Sequence, residues 1–107
     1  MAATRIVAYF NLKPGIAVSD YEDWAAKVDL PTVNALPSIE NFEVLRTTAK
    51  LGGGNPDYQY IEILDINDME QFRSDVATEQ MQSIASAFRQ MVDVSFLVTE
   101  PLKWRAE

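Results

Sequence analysis

The sequence has no cysteine and no histidine, only four glycines among 107 residues, and nine cations against sixteen acids. Without cysteine there are no disulfides and no thiolate metal sites, a composition that fits a reducing cytoplasm. Without histidine there is no Ser-His or Cys-His nucleophile pair and no imidazole ligand for zinc or haem iron. Any chemistry falls to carboxylate, tyrosine, lysine or arginine, or to a bound cofactor; with no credible metal site and no dinucleotide fingerprint, no cofactor or metal is expected. The net charge of −7, with no basic cluster, argues against nucleic acid or anionic lipid as a partner. No apolar run approaches the roughly 20 residues of a membrane span. The opening alternates immediately after one arginine and reads as a strand instead of a signal peptide.

What is present is ordinary for a folded chain: 48% hydrophobic and 23% charged residues, in a length that suits one domain over 1–107. Asp57–Ile66 (DYQYIEILDI) organises the rest. Ile61 and Ile63 alternate with Tyr58, Tyr60, Glu62 and Leu64, so a strand separates the two sets onto opposite faces. The isoleucines suit a floor for helices. The tyrosines and Glu62 are then expected on the other, open face.

Thr4–Leu12 alternates as a first strand, closed by Lys13-Pro14-Gly15. Ser19 and Glu22 have the form of a capping box for a helix with a stripe of Tyr21, Trp24, Ala25 and Val28, ending near Leu30 ahead of Pro31. Asp20, Glu22 and Asp23 belong to that helix start and its dipole. Asn41–Lys50 reads as a second strand, and Asn67 with Glu70 as a helix start for Met69, Phe72 and Val76. Thr78 caps a longer helix carrying Met81, Ile84, Phe88 and Met91. A fourth strand is expected over Val92–Leu102, with Trp104 on an arm beyond it. The three glycines at 52–54 join two strands and lack the helix N-terminus of a phosphate loop.

The order β-α-β-β-α-β, with right-handed crossovers, gives an α+β, ferredoxin-like, four-stranded antiparallel sheet with helices on one face and strands one and three in the middle. The face left open would carry Val7, Tyr9, Tyr58, Tyr60, Leu64 and Leu97. An apolar patch of that kind predicts a homodimer.

The segments TRIVAYFNLKPG, SDYEDWAAKVDLPTVNALPSI and DYQYIEILDI followed by DMEQF resemble the RedY-like (HapK) family of the dimeric α/β-barrel superfamily. In that superfamily two such sheets face each other around a lumen. The resemblance implies a part in the biosynthesis of prodiginine-type tripyrrole pigments. It brings no agreed catalytic motif, so candidate residues come from the residues themselves.

Glu62, mid-strand and out of water, is the candidate general base or acid, with Tyr60 beside it steadying developing charge. The competing expectation is an ion pair or hydrogen-bonded dimer contact of Glu62, with Arg46 or Arg5 as its partner. Tyr9, Asn11, Tyr58 and Trp24 are candidate ligand contacts, against a lumen or core filled by its own side chains. Arg46 is a further candidate, its face left open by the loop that precedes the organising strand. Two classes of function stay open. One is a cofactor-independent enzyme, such as a cyclase, a condensation-assisting enzyme or a monooxygenase, acting on a planar pyrrole- or indole-like intermediate. The other is a non-catalytic dimeric protein that sequesters such an intermediate or delivers it to a pathway enzyme.

Overall fold

A computed structural model describes residues 4–103. Its elements run β1 (Thr4–Leu12), α1 (Val18–Trp24), a π-helical turn (Ala25–Asp29), α2 (Leu30–Asn34), β2 (Ile39–Arg46), β3 (Tyr60–Ile66), α3 (Met69–Val76), α4 (Glu79–Met91) and β4 (Val92–Thr99). The strands form one sheet in the order β2-β3-β1-β4, antiparallel throughout. This is the ferredoxin-like α+β arrangement expected, with the first and third strands central. The expected arm at Trp104 lies outside the described residues.

Register decides the faces. Directly opposed residues share a face, and Ile6, Ala8 and Phe10 of β1 oppose Leu64, Glu62 and Tyr60 of β3. Those residues, with Phe42 of β2, are buried under the helices. Val7 and Tyr9 oppose Ile63 and Ile61 and lie on the uncovered face. The expectation for β3 is therefore inverted. Tyr60, Glu62 and Leu64 face the helices, while Ile61 and Ile63 face outwards. Tyr58 and Tyr60 separate because pairing turns irregular at Gln59, whose amide donates both to the Phe10 carbonyl and to the Asn11 side chain. Tyr58 consequently stays beside Tyr9 on the open face, ring centroids 4.5 Å apart and edge to face.

Three helix boundaries also differ from the sequence expectation. The N-cap of α1 is Ala17, which has no side-chain cap, so Ser19 and Glu22 form no capping box. Glu22 instead accepts hydrogen bonds from Arg46 and Tyr60. The helix does not stop before Pro31. Proline cannot donate a hydrogen bond and crowds the carbonyl four residues back. Here the chain widens just upstream, the Leu30 amide bonding the Ala25 carbonyl five residues earlier, and α2 continues through Pro31 to Asn34. The cap of α3 is Asp68 in place of Asn67. Its Oδ1 accepts from the amides of Glu70 and Gln71 at 3.0 and 3.1 Å. Thr78 caps α4 as expected.

The helices are held to the sheet by two apolar clusters, one around Ile6, Phe42, Leu64 and Ile84, the other around Phe10, Tyr21, Tyr60 and Phe88. A polar tie anchors α3 to the start of β2: Ser38 Oγ donates to Asp75 Oδ2 at 2.6 Å, and Gln71 donates to Asp75 Oδ1. Replacing Asp68 with alanine should lower stability by about 1 kcal/mol, the usual cost of a lost N-cap. Thermal unfolding of the variant checks this, and an unchanged melting temperature would remove Asp68 as the cap.

Candidate functional site

Against the first apolar cluster, with Phe88 of the second as one wall, the sheet and helices leave a cavity of about 130 Å³. Glu62 of β3 and Asp29 of the π-turn reach it from opposite sides, and Phe42, Phe72, Phe88 and Phe96 are among its walls. Both carboxylates are buried, at 4% and 5% exposure. No salt bridge reaches either one among the described residues, and no lysine or arginine lines the cavity. The ion pairs considered for Glu62 do not form. Arg5 is taken by Asp65 at 2.7 Å on the open face, and Arg46 by Glu22.

Local sequence explains the placement. Glu62 lies opposite Ala8, whose methyl leaves room above the strand. Asp29 belongs to a buried series of Tyr21, Ala25, Asp29 and Val33, at strict intervals of four. In a regular α-helix such residues drift about 40° around the axis at every step. The wider π-turn absorbs that drift and keeps Asp29 on the sheet side. Such single turns recur at functional sites. Val28, expected in the buried stripe, is instead exposed. Sequence reasoning missed Asp29 because it assumed α-helical spacing and a stop at Pro31.

Burial penalises the charged form of both acids. It pushes the Asp29 carboxyl up to about 7, and burial, followed by the charge of Asp29, pushes Glu62 up to about 8. The Tyr21 hydroxyl is fully buried and has no hydrogen-bond partner among the described residues. Burial and then the charges of Glu62 and Asp29 raise its pKa further above the ordinary phenol value. At neutral pH the cavity thus holds two carboxyl groups poised between protonated and ionised forms.

Tyr60 shares this sheet face but not this cavity. Its hydroxyl donates to Glu22 Oε2 at 2.7 Å, and Arg46 donates to the same carboxylate through Nε at 2.8 Å and Nη2 at 2.7 Å. The guanidinium and then the phenol hold Glu22 down to about 2, while burial and this hydrogen bond push Tyr60 up to about 12. The three side chains line a neighbouring recess of about 150 Å³ with Tyr21 and Val44. Arg46 thereby lies on the helix side, and its fork clamps α1 to β2.

The remaining candidates disperse. Trp24 is half-buried and stacks on Phe88 with centroids 6.2 Å apart, behind the cavity wall. The Asn11 side chain donates to the Asp57 carbonyl and accepts from the Gln59 amide, closing the end of the central strands. Tyr9 and Tyr58 lie across the sheet from Glu62. No group of three His, Cys, Asp or Glu side chains that could hold a metal ion comes together among the described residues.

Fold and site together define a ferredoxin-like α+β protein with an acid-bearing cavity between one sheet face and its helices. The chain belongs to the REDY-like protein HapK family, whose model matches residues 4–102. The crystal structure of HapK from Hahella chejuensis is 28% identical, with a TM-score of 0.76 over 97% of this chain and 99% of that one. The fold is also similar to SnoaB, a cofactor-independent oxygenase from Streptomyces nogalater, at TM-score 0.77 and 19% identity over the whole of both chains. It is similar as well to At3g17210 from Arabidopsis thaliana, at TM-score 0.79 and 16% identity over 96% of this chain and 99% of that one. No curated protein matches the sequence.

The raised carboxyls make a signed prediction about pH. A carboxyl whose pKa is raised on folding contributes stability that is intact below the ordinary carboxylate range and lost as pH climbs through the folded value. Stability should therefore fall between roughly pH 4 and about 8. Glu62→Gln and Asp29→Asn remove that loss. Each should match the parent near pH 4 and exceed it by a few kcal/mol at about pH 9, because every tenfold difference in proton affinity between folded and unfolded chain is worth about 1.4 kcal/mol. Denaturant melts at the two pH values check this. A variant less stable than the parent at the higher pH would mean that its carboxylate has a partner.

Proposed function

We propose that the protein is a cofactor-independent enzyme of secondary metabolism that moves a proton on a planar pyrrole- or indole-like intermediate, with Glu62 as the acid-base group. One observation carries this: a glutamate in an interior strand is buried, has no cation beside it among the described residues, and opens into a cavity walled by phenylalanines. Central strands rarely hold an unpaired acid, and a carboxyl with a pKa near the working pH is what general catalysis needs. As carboxylate, Glu62 would take a proton from a ring carbon or nitrogen. As carboxylic acid it would return one elsewhere on the same or a condensing ring, so the cycle closes without an oxidant. The aromatic walls would hold the ring plane in place.

Membership of the HapK family supports placing this chemistry in prodiginine-type pigment biosynthesis. The similarity to SnoaB supports a related reading in which the same base deprotonates an electron-rich ring that then reacts with molecular oxygen. Tyr60 takes a positioning role in this reading. Engaged by Glu22, it braces β3 next to Glu62 instead of meeting the substrate.

A homodimer through the open sheet face belongs to the same proposal. Val7, Tyr9, Ile61 and Ile63 make a half-buried apolar centre there, and Leu45 and Leu97 are exposed at 43% and 50%. Solvent-facing sheets are normally polar, so this surface fits a second copy. The Tyr9–Tyr58 pair would lie within that interface.

Glu62→Gln should lower turnover of the pathway intermediate about 10²–10⁴-fold, the usual worth of general acid-base catalysis, while the protein stays folded. Full activity in this variant would take Glu62 out of the mechanism. Ile61→Glu, which puts a charge at the centre of the open face, should convert a sedimenting dimer to a monomer. A parent protein that sediments as a monomer at micromolar concentration would overturn the dimer.

A further inference from the structure

Glu62 is not alone in its cavity, and its companion has the same character. Asp29 comes from a different element, is 5% exposed, and is turned to the sheet by the π-turn. Every other feature of the enclosure is apolar or aromatic: Phe42 and Leu64 below, Phe72, Ile84 and Phe88 above, Phe96 at the β4 edge. Two acids and no cation in one apolar enclosure make a site with acceptors and no counter-charge. A hydrophobic molecule would leave those acceptors unpaired, at the desolvation cost of each group. An anion would meet like charge on each acid that is ionised and no cation to offset it. A flat ring presenting N–H donors at its edge satisfies both carboxylates while its faces lie against phenylalanine.

We propose that Asp29 and Glu62 work as a two-carboxylate clamp selecting a planar heteroaromatic ligand that presents N–H donors, neutral or cationic, and rejecting ring carboxylates. This rests on the cavity assigned to catalysis above, but it concerns which ligands the cavity takes, and it gives Asp29 a ligand contact. The size fits. An apolar cavity of about 150 Å³ holds a benzene molecule, and this one, at about 130 Å³, takes a single ring or one end of a larger conjugated ligand.

The test is binding, not turnover. 2-Aminopyridine offers two adjacent N–H donors when protonated, matching the fork of a carboxylate. Toluene has similar bulk and no donors, and benzoate adds a negative charge. Titrations followed by Phe and Trp signals in NMR should show the intact protein binding 2-aminopyridine at least tenfold more tightly than toluene, with benzoate not binding. Asp29→Asn and Glu62→Gln should each weaken 2-aminopyridine at least tenfold and leave toluene unchanged. Toluene or benzoate binding as well as 2-aminopyridine overturns the clamp, and this comparison needs no variant. Asp29→Asn binding 2-aminopyridine like the parent also overturns it. Selective binding that needs both acids, in a protein whose Glu62→Gln variant keeps full turnover, would uphold the clamp and remove the catalytic role. Loss of turnover in Glu62→Gln without ligand selectivity would do the reverse.

Discussion

The pairing of Ala8 with Glu62 is the constraint on which the helix side of this molecule depends. Along the two central strands, the rungs facing the helices read Phe10 with Tyr60, Ala8 with Glu62, then Ile6 with Leu64. The outer rungs are large and seed one apolar cluster each. The middle rung joins the smallest side chain of the series to an acid, and the clusters part there. Along the facing helix the same order recurs: Tyr21 and Ala25 in one cluster, Val33 in the other, and Asp29 between them. The cavity opens beside this rung, lined mostly by the first cluster, with Phe88 from the second. A larger residue at Ala8 would press into the space that Glu62 occupies. A one-residue slip of β3 would carry the acid to the opposite face entirely.

Two kinds of carboxylate stand a short distance apart in this architecture. Glu22 receives three charge-assisted or phenolic hydrogen bonds and is held down to about 2. Asp29 and Glu62 receive none among the described residues and are pushed up to about 7 and about 8. Environments that drive neighbouring acids in opposite directions are how one fold separates structural from chemical carboxylates. Glu22 contributes to stability, joining α1 to β2 and β3. Asp29 and Glu62 subtract from it once ionised, and a chain selected for stability alone would fill these positions with aliphatic residues. Local cost without local compensation is what marks the pair as candidates for a functional role.

The architecture was legible in the sequence because it rests on patterns that many residues share. Alternation over Thr4–Leu12 bounds β1 as observed, Thr78 is the cap of α4, and the element order yields the sheet topology. The site was only half legible, for reasons that can be named. Alternation in β3 shows that Tyr60, Glu62 and Leu64 travel together, but which face the helices cover is settled by the partner strand. Glu62 looked misplaced for a central strand, and that oddity is what marked it as a candidate. Asp29 was hidden by the assumption of a regular helix. The interval of four from Tyr21 to Val33, read with Pro31, was the clue that the helix must widen. Asn67 lost the capping role to Asp68 because its own amide donates to the Pro37 carbonyl.

The inversion of β3 also divides the labour of the sheet. The cavity is lined within one chain, by residues pointing up from the strands and down from the helices. The open face is built from the alternate residues of the same strands, so Ile61 and Ile63 flank Glu62 in sequence while pointing away from it. A second copy docked on that face would not enter the cavity. It would instead stiffen the strand from behind, holding the backbone on either side of Glu62 against sliding. The open face and the helix side are coupled through the strands that contribute to both, β1 and β3 at the centre and β2 and β4 at the edges. The contacts that fix β3 from the helix side, Tyr60 to Glu22 and Glu22 to Arg46, lie at the end of the strand nearest the carboxylate.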